Sequence, residues 1–160
     1  MGRAGSDARQ VLIPATYHLR DEVLGHSATP GTAARAQKWH GKTLLYGLRV
    51  SPPRGSGPPE ACVVFFGDSF TFGEGLNDTE TMPYRAGAIG GGRFEVYNFG
   101  FRGYGPHPML SALQHGRVAS ILKCRPTHVI YTATPDHVNR ISDLNTWGFH
   151  DPHDLLRAGP

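Results

Sequence analysis

Residues 61–75 read ACVVFFGDSFTFGEG. The run ACVVFF (61–66) is continuously apolar and rich in valine and phenylalanine, the pattern of a strand buried on both faces. It breaks at Gly67, and Ser69 stands two residues later in a glycine-rich turn. In open α/β sheets, ligands gather beyond the carboxyl ends of the strands. A strand-to-helix turn at that place exposes a hydroxyl and points backbone N–H groups toward it. The arrangement suits a nucleophile whose developing oxyanion needs donors. It equally suits a phosphate cradle, or a plain helix cap made by Asp68 and Ser69. Position alone leaves the three readings open.

Working outward, NDTETMPYRAGAI (77–89) carries helix-start signals, with Asp78, Thr79 or Thr81 as caps and Pro83 in the first turn. FEVYNF (94–99) alternates and predicts a second strand. PMLSALQHGRVASILK (108–123) places apolar residues near helical spacing, predicting one helix that tolerates Gly116 at about 1 kcal/mol. Pro126 stops it, and THVIYTAT (127–134) is a β-branched third strand. Strand, helix, strand, helix, strand predicts right-handed βαβ units, hence an α/β domain with a parallel sheet between helical layers. Residues 61–160 form that domain. Residues 1–60 predict a weakly structured lead-in, with one strand in TLLYGLRV (43–50) and a proline-rich linker in SPPRGSGPPE (51–60). The tail from Pro135 onward, PDHVNRISDLNTWGFHDPHDLLRAGP, reads as loop.

Composition narrows the class. At 160 residues, 39% hydrophobic and 18% charged, the chain has the make-up of one globular domain rather than a disordered one. Its net charge of +3 comes from scattered basic residues, with no stripe of the kind that reads nucleic acid. No stretch approaches a membrane span of about 20 apolar residues, and MGRAGSDARQVLIPATYHL lacks the apolar centre of a secretory signal, so the default compartment is the cytoplasm. Cys62 and Cys124 are too few for a disulfide framework or a zinc cluster, and both read as reduced core thiols. The nine histidines show no ligand pattern; His150 and His153 flank Asp151, but in a segment with no fixed face. No metal or cofactor is expected.

VVFFGDSFTFGEG (63–75) resembles the first motif of the SGNH hydrolases, the GDSL esterase and lipase group, whose nucleophile is the serine of Gly-Asp-Ser. VYNFGFRGYGP (96–106) resembles their second motif, in which a strand ends in Asn and a glycine five residues on donates a backbone N–H to the oxyanion. FGEGLNDTETMP (72–83) and, more faintly, YGLRVSPP (46–53) also resemble a bacterial subgroup of that family. The resemblance implies a three-layer, flavodoxin-like sheet and acyl transfer on a small-molecule ester. Ser69 would be the nucleophile, and the amides of Ser69 and Gly103 the oxyanion donors.

The match fails further on. The family's third motif ends its strand in an Asn that donates to the oxyanion, whereas YTATPDHVNR (131–140) aligns Pro135 there, followed by Asp136. Proline has no donor to offer, and Asn139 is the nearest amide side chain. The family's C-terminal Asp-x-x-His has only Asp151 and His153 in HDPHD (150–154) to match it, one residue short. The resemblance implies a sheet ordered 2-1-3-4-5; with only three strands the order is 2-1-3, leaving the third strand as an exposed apolar edge that invites self-association. The expectation is an N-terminal part of an SGNH hydrolase, weak or inactive as it stands. The alternative is a non-catalytic module that holds an acyl group or sugar, or an inert fragment of a degenerate SGNH domain.

Overall fold

The computed structural model describes residues 18–31, 33–36, 39–42 and 47–141. The apolar run becomes β5 (Ala61–Phe66), buried along its whole length. It pairs in parallel with β6 (Phe94–Asn98) on one side and β7 (His128–Tyr131) on the other, giving the sheet order β6-β5-β7. This is the 2-1-3 order expected from the sequence. The period of two along β5 sorts its side chains between two cores. Ala61, Val63 and Phe65 meet Val96 and Ala86, the latter on α2 (Met82–Ile89). Cys62, Val64 and Phe66 meet Ala112, Val118 and Ile121 from α3 (Pro106–Gln114) and α4 (Arg117–Ile121). The architecture is therefore α/β, a three-stranded parallel sheet with helices on both faces.

Thr81 caps α2 by accepting from the Tyr84 N–H at 3.3 Å, and Pro83 sits in its first turn, as the sequence predicts. Asp78–Glu80 forms a separate 3₁₀ turn before it. The expected long helix over 108–123 is instead the pair α3 and α4, broken at Gly116, whose φ of +66° is left-handed. Glycine takes that conformation without penalty, so a residue read as a tolerated defect is the joint between two helices. The tail is not all loop either: α5 (Asp136–Ile141) follows β7. Residues 142–160 lie outside the described part.

The lead-in is more ordered than its composition suggests. β1 (His18–Asp21) and β2 (Gly25–Ala28) form an antiparallel hairpin, as do β3 (Ala33–Ala36) and β4 (Trp39–Lys42). The first hairpin folds back onto the α/β domain. Tyr104 Oη donates to the His26 carbonyl at 2.6 Å, Ser111 Oγ donates to the Val23 carbonyl at 2.6 Å, and Arg117 pairs with Asp21 at 3.2 Å. Of the strand expected at 43–50, residues 43–46 lie outside the described part. Arg49 makes an isolated antiparallel bridge to Asn98 at the end of β6.

β7 is an open edge among the described residues, with Val129 62% and Ile130 40% exposed. No helix among the described residues is long and apolar enough to cross a membrane.

The two cysteines are bonded, not reduced. Cys62 is the second residue of β5 and Cys124 follows α4, with Cα atoms 6.0 Å apart. Both were read as buried thiols because their neighbours are apolar; the α4–β7 turn brings them together across the sheet face. Such bonds persist in oxidising compartments. Denatured, unreduced protein is expected to show no thiol reactive to Ellman's reagent. Cys62→Ala with Cys124→Ala is expected to lower unfolding free energy by about 2–4 kcal/mol, read from urea titration followed by circular dichroism. Two free thiols per chain in protein never exposed to reductant would refute the bond.

Candidate active site

Ser69 opens α1 (Ser69–Phe72), a single turn just past the carboxyl end of the central strand. Two features force the chain to turn there. Gly67 has φ +152°, and a Cβ at that position would collide with Thr71 Oγ1. Asp68 then caps the turn, its Oδ1 accepting the Phe70 N–H at 3.0 Å. The plain capping role weighed for Asp68 is thus present, and it leaves Ser69 partly exposed beside Phe70, which is 72% exposed. Among the described residues no side chain is bonded to the Ser69 hydroxyl.

The second segment, 99–105, leaves β6 and lies directly on α1. Asn98, fully buried, donates from Nδ2 to the Thr71 carbonyl at 3.0 Å and accepts the Gly100 N–H at 3.0 Å through Oδ1. Phe101 N–H donates to the Gly67 carbonyl at 3.3 Å. A Cβ on Gly100 would sit 2.7 Å from Thr71 Cβ, so glycine is what lets the two loops touch. Gly103 is buried in this segment with φ +78°. The amides of Ser69 and Gly103 have no acceptor among the described residues.

One guanidinium joins the two loops from a third direction. Arg140 on α5 places Nη1 3.5 Å from Asp68 Oδ2 and donates from the same nitrogen to the Tyr104 carbonyl. Asp68 immediately precedes Ser69, and Tyr104 immediately follows Gly103. The segments holding the two expected oxyanion donors therefore meet within the reach of one nitrogen atom.

Asp68 is 1% exposed, and its Oδ2 also faces Thr134 Oγ1 at 3.4 Å and His137 Nε2 at 3.2 Å. The His137 contact is close but not aligned as a hydrogen bond. His137 Nδ1 accepts the Thr134 N–H at 3.3 Å, which fixes it as the unprotonated nitrogen and leaves the proton on Nε2, facing Asp68. Tyr131 Oη lies 2.7 Å from the same Nδ1 and is its second donor. Burial, helped by the Asp68 charge and opposed by Arg140, pushes the Tyr131 hydroxyl up to about 12, so it keeps its proton. Burial also lowers the pKa of His137, with Asp68 pulling it up and Arg140 pushing it down. His137 is 3% exposed, although nothing in the histidine spacing singles it out. Its Nδ1 is occupied by Thr134 and Tyr131, and its Nε2 faces Asp68 Oδ2 rather than the Ser69 hydroxyl, so it is not poised as a base for Ser69.

The remaining sequence candidates separate. Asp136 and Asn139 are exposed on α5, whose buried face carries His137 and Arg140 instead, so no loop shift brings Asn139 inward to replace the missing donor at Pro135. Asp151 and His153, with His150, lie outside the described residues. No cluster of metal-ligating side chains occurs among the described residues. A cavity of about 340 Å³ runs along β6, lined by Arg54, Glu95, Tyr97 and Lys123 among others, and its lining includes neither Ser69 nor Gly103.

Arg49 was missed as a structural residue. It is fully buried, donating from Nε to Asp78 Oδ1 at 2.8 Å, from Nη2 to the Leu76 carbonyl at 2.7 Å and from Nη1 to the Gly73 carbonyl at 3.2 Å. Its guanidinium also stacks 4.9 Å from the centre of the Phe72 ring. It thus satisfies carbonyls left open where α1 ends.

No protein-family model matches the chain, and no curated protein matches it.

Arg49→Met is expected to cost about 3–5 kcal/mol in urea unfolding, because it strands buried carbonyls and one carboxylate; a loss within experimental error would remove Arg49 from this role. His137 gives a pH signature. Its folded pKa lies below the ordinary 6.5, so the unfolded chain takes up the proton first. The stability this supplies is complete above that value and drains away as pH falls from it toward the folded pKa. His137→Gln is expected to flatten that acidic loss, read as the difference in melting temperature between neutral and acidic buffers. An identical loss in both proteins would contradict the assignment.

Proposed function

We propose that this chain is an SGNH-type hydrolase domain in which Ser69 attacks an ester carbonyl. The observation that carries the reading is the meeting of two motif loops at the carboxyl ends of neighbouring parallel strands. One loop presents a partly exposed serine, the other a left-handed glycine with an unengaged amide. In the proposed reaction Ser69 Oγ bonds to the carbonyl carbon and gives up its proton to a base. The carbonyl oxygen becomes an oxyanion facing the amides of Ser69 and Gly103. Collapse expels the alcohol, which takes a proton, and water then releases the acid from the acyl-enzyme. No cofactor enters these steps.

The base is the weak part of this scheme. Removing the histidine of a serine hydrolase costs about 10⁶ in kcat, and among the described residues no imidazole is bonded to Ser69. That observation favours a second reading, a module that holds an acyl group or a sugar in the same cleft without turning it over. The two differ in one experiment. Wild type is expected to be labelled by a serine-directed fluorophosphonate, and Ser69→Ala is not, while p-nitrophenyl acetate is turned over slowly and only by the wild type. Labelling without turnover marks a partial site; the absence of both labelling and turnover favours the binding module, and equal labelling of both proteins removes Ser69 as the nucleophile.

A further inference from the structure

We propose that Arg140 is the positioning residue that holds the Ser69 turn and the Gly103 loop in register, with His137 supporting it through Asp68. This rests on the reading of Ser69 and Gly103 as one site, but its geometry stands independently of catalysis.

Arg140 and His137 are spaced i, i+3 on α5 and form its buried face. Both reach the same atom, Asp68 Oδ2, at 3.5 Å and 3.2 Å. The other oxygen of that carboxylate accepts the Phe70 N–H and so fixes the turn on which Ser69 stands. A buried carboxylate left without its counter-charge is costly. Arg140 is the guanidinium paired with it, and that pairing holds Oδ1 aimed at the turn. The same Nη1 binds the Tyr104 carbonyl, one residue beyond Gly103. An arginine here does what two separate bonds would not: displacing it frees both loops at once.

Sequence neighbours alone do not provide this coupling. Asp68 and Tyr104 lie on different βα connections, and α5 contributes the bridge only because it folds back after β7. Arg140 touches no substrate in this scheme. It acts through the backbone that would supply the two donors, so its loss should lower the rate of reaction more than ground-state binding.

The test is amide hydrogen exchange by NMR on wild type, Arg140→Met, Arg140→Lys and His137→Gln, with fluorophosphonate labelling run in parallel. Arg140→Met is expected to speed exchange of the Phe70 and Phe101 amides at least tenfold while Val64, in the central strand, is unchanged. Arg140→Lys is expected to restore part of the Phe70 protection, since it keeps the charge, but not that of Phe101. His137→Gln is expected to affect Phe70 only. The labelling rate of Arg140→Met should fall about tenfold, with the half-saturating concentration of reagent little changed. Unchanged exchange at Phe70 and Phe101, or a rise shared equally by Val64, overturns the proposal. Should Arg140→Met fail to fold, the Lys and Gln variants still decide through the selectivity of Phe70 over Phe101. If the wild type is not labelled at all, the esterase reading falls and the exchange pattern alone judges Arg140.

Discussion

A carboxylate with almost no exposure to water organises this molecule. Asp68 stands where the central strand stops, and ionised oxygen in that position has to be answered by donors from its surroundings. The answers come from three places: the Phe70 amide in its own turn, the Thr134 hydroxyl beyond β7, and the Arg140 guanidinium on α5. Because those partners sit on different connections, satisfying one side chain draws the loops at the top of the sheet together. The serine turn is a by-product of that demand. Its neighbour is buried and matched, and so its hydroxyl is left facing outward.

The rest of the structure supports that end of the sheet from the other side. A three-stranded sheet buries little area for its length, and the chain compensates with polar staples. Arg49 enters from the lead-in and closes the carbonyls where α1 ends, while the first hairpin lies on the loop that carries Gly103. Leu24 adds an apolar contact to the core of Cys62, Val64 and Phe66 and to a smaller cluster of Ala28, Phe72, Phe101 and Tyr104. The lead-in is therefore part of the architecture of the site, although its sequence is rich in glycine and proline. At the opposite end the Cys62–Cys124 bond ties the first residues of the sheet to the helical layer. Only the β7 edge is left open among the described residues, and its exposed valine and isoleucine are the kind of surface that strand pairing covers.

For function, the arrangement separates a legible half-site from an unprovided one. The nucleophile and the two amides are features of backbone geometry, which a strand, a glycine and a cap are enough to build. A general base is different, because an imidazole has to be delivered from elsewhere at hydrogen-bond distance. His137 shows how proximity fails to be sufficient. It lies beside the residue next to Ser69, yet its Nδ1 is taken by Tyr131 and Thr134, its Nε2 faces Asp68, and burial lowers its pKa.

The amino-acid order by itself determined the parts that depend on short-range pattern. A six-residue apolar run rich in valine and phenylalanine fits a strand covered on both faces, Pro83 after Thr81 signals a helix start, and Gly67 marks a turn. From these follow the α/β class and the position of Ser69, while the strand order was an implication of the resemblance to SGNH hydrolases. What tertiary structure decided were the pairings between residues far apart in the chain. The break of one expected helix at Gly116, the bonding of Cys62 to Cys124, the burial of Arg49 and the convergence of His137 and Arg140 on Asp68 carry no local signature. Each arises because a buried charge or an open carbonyl must find a partner in space, and only the folded chain shows which partner is within reach.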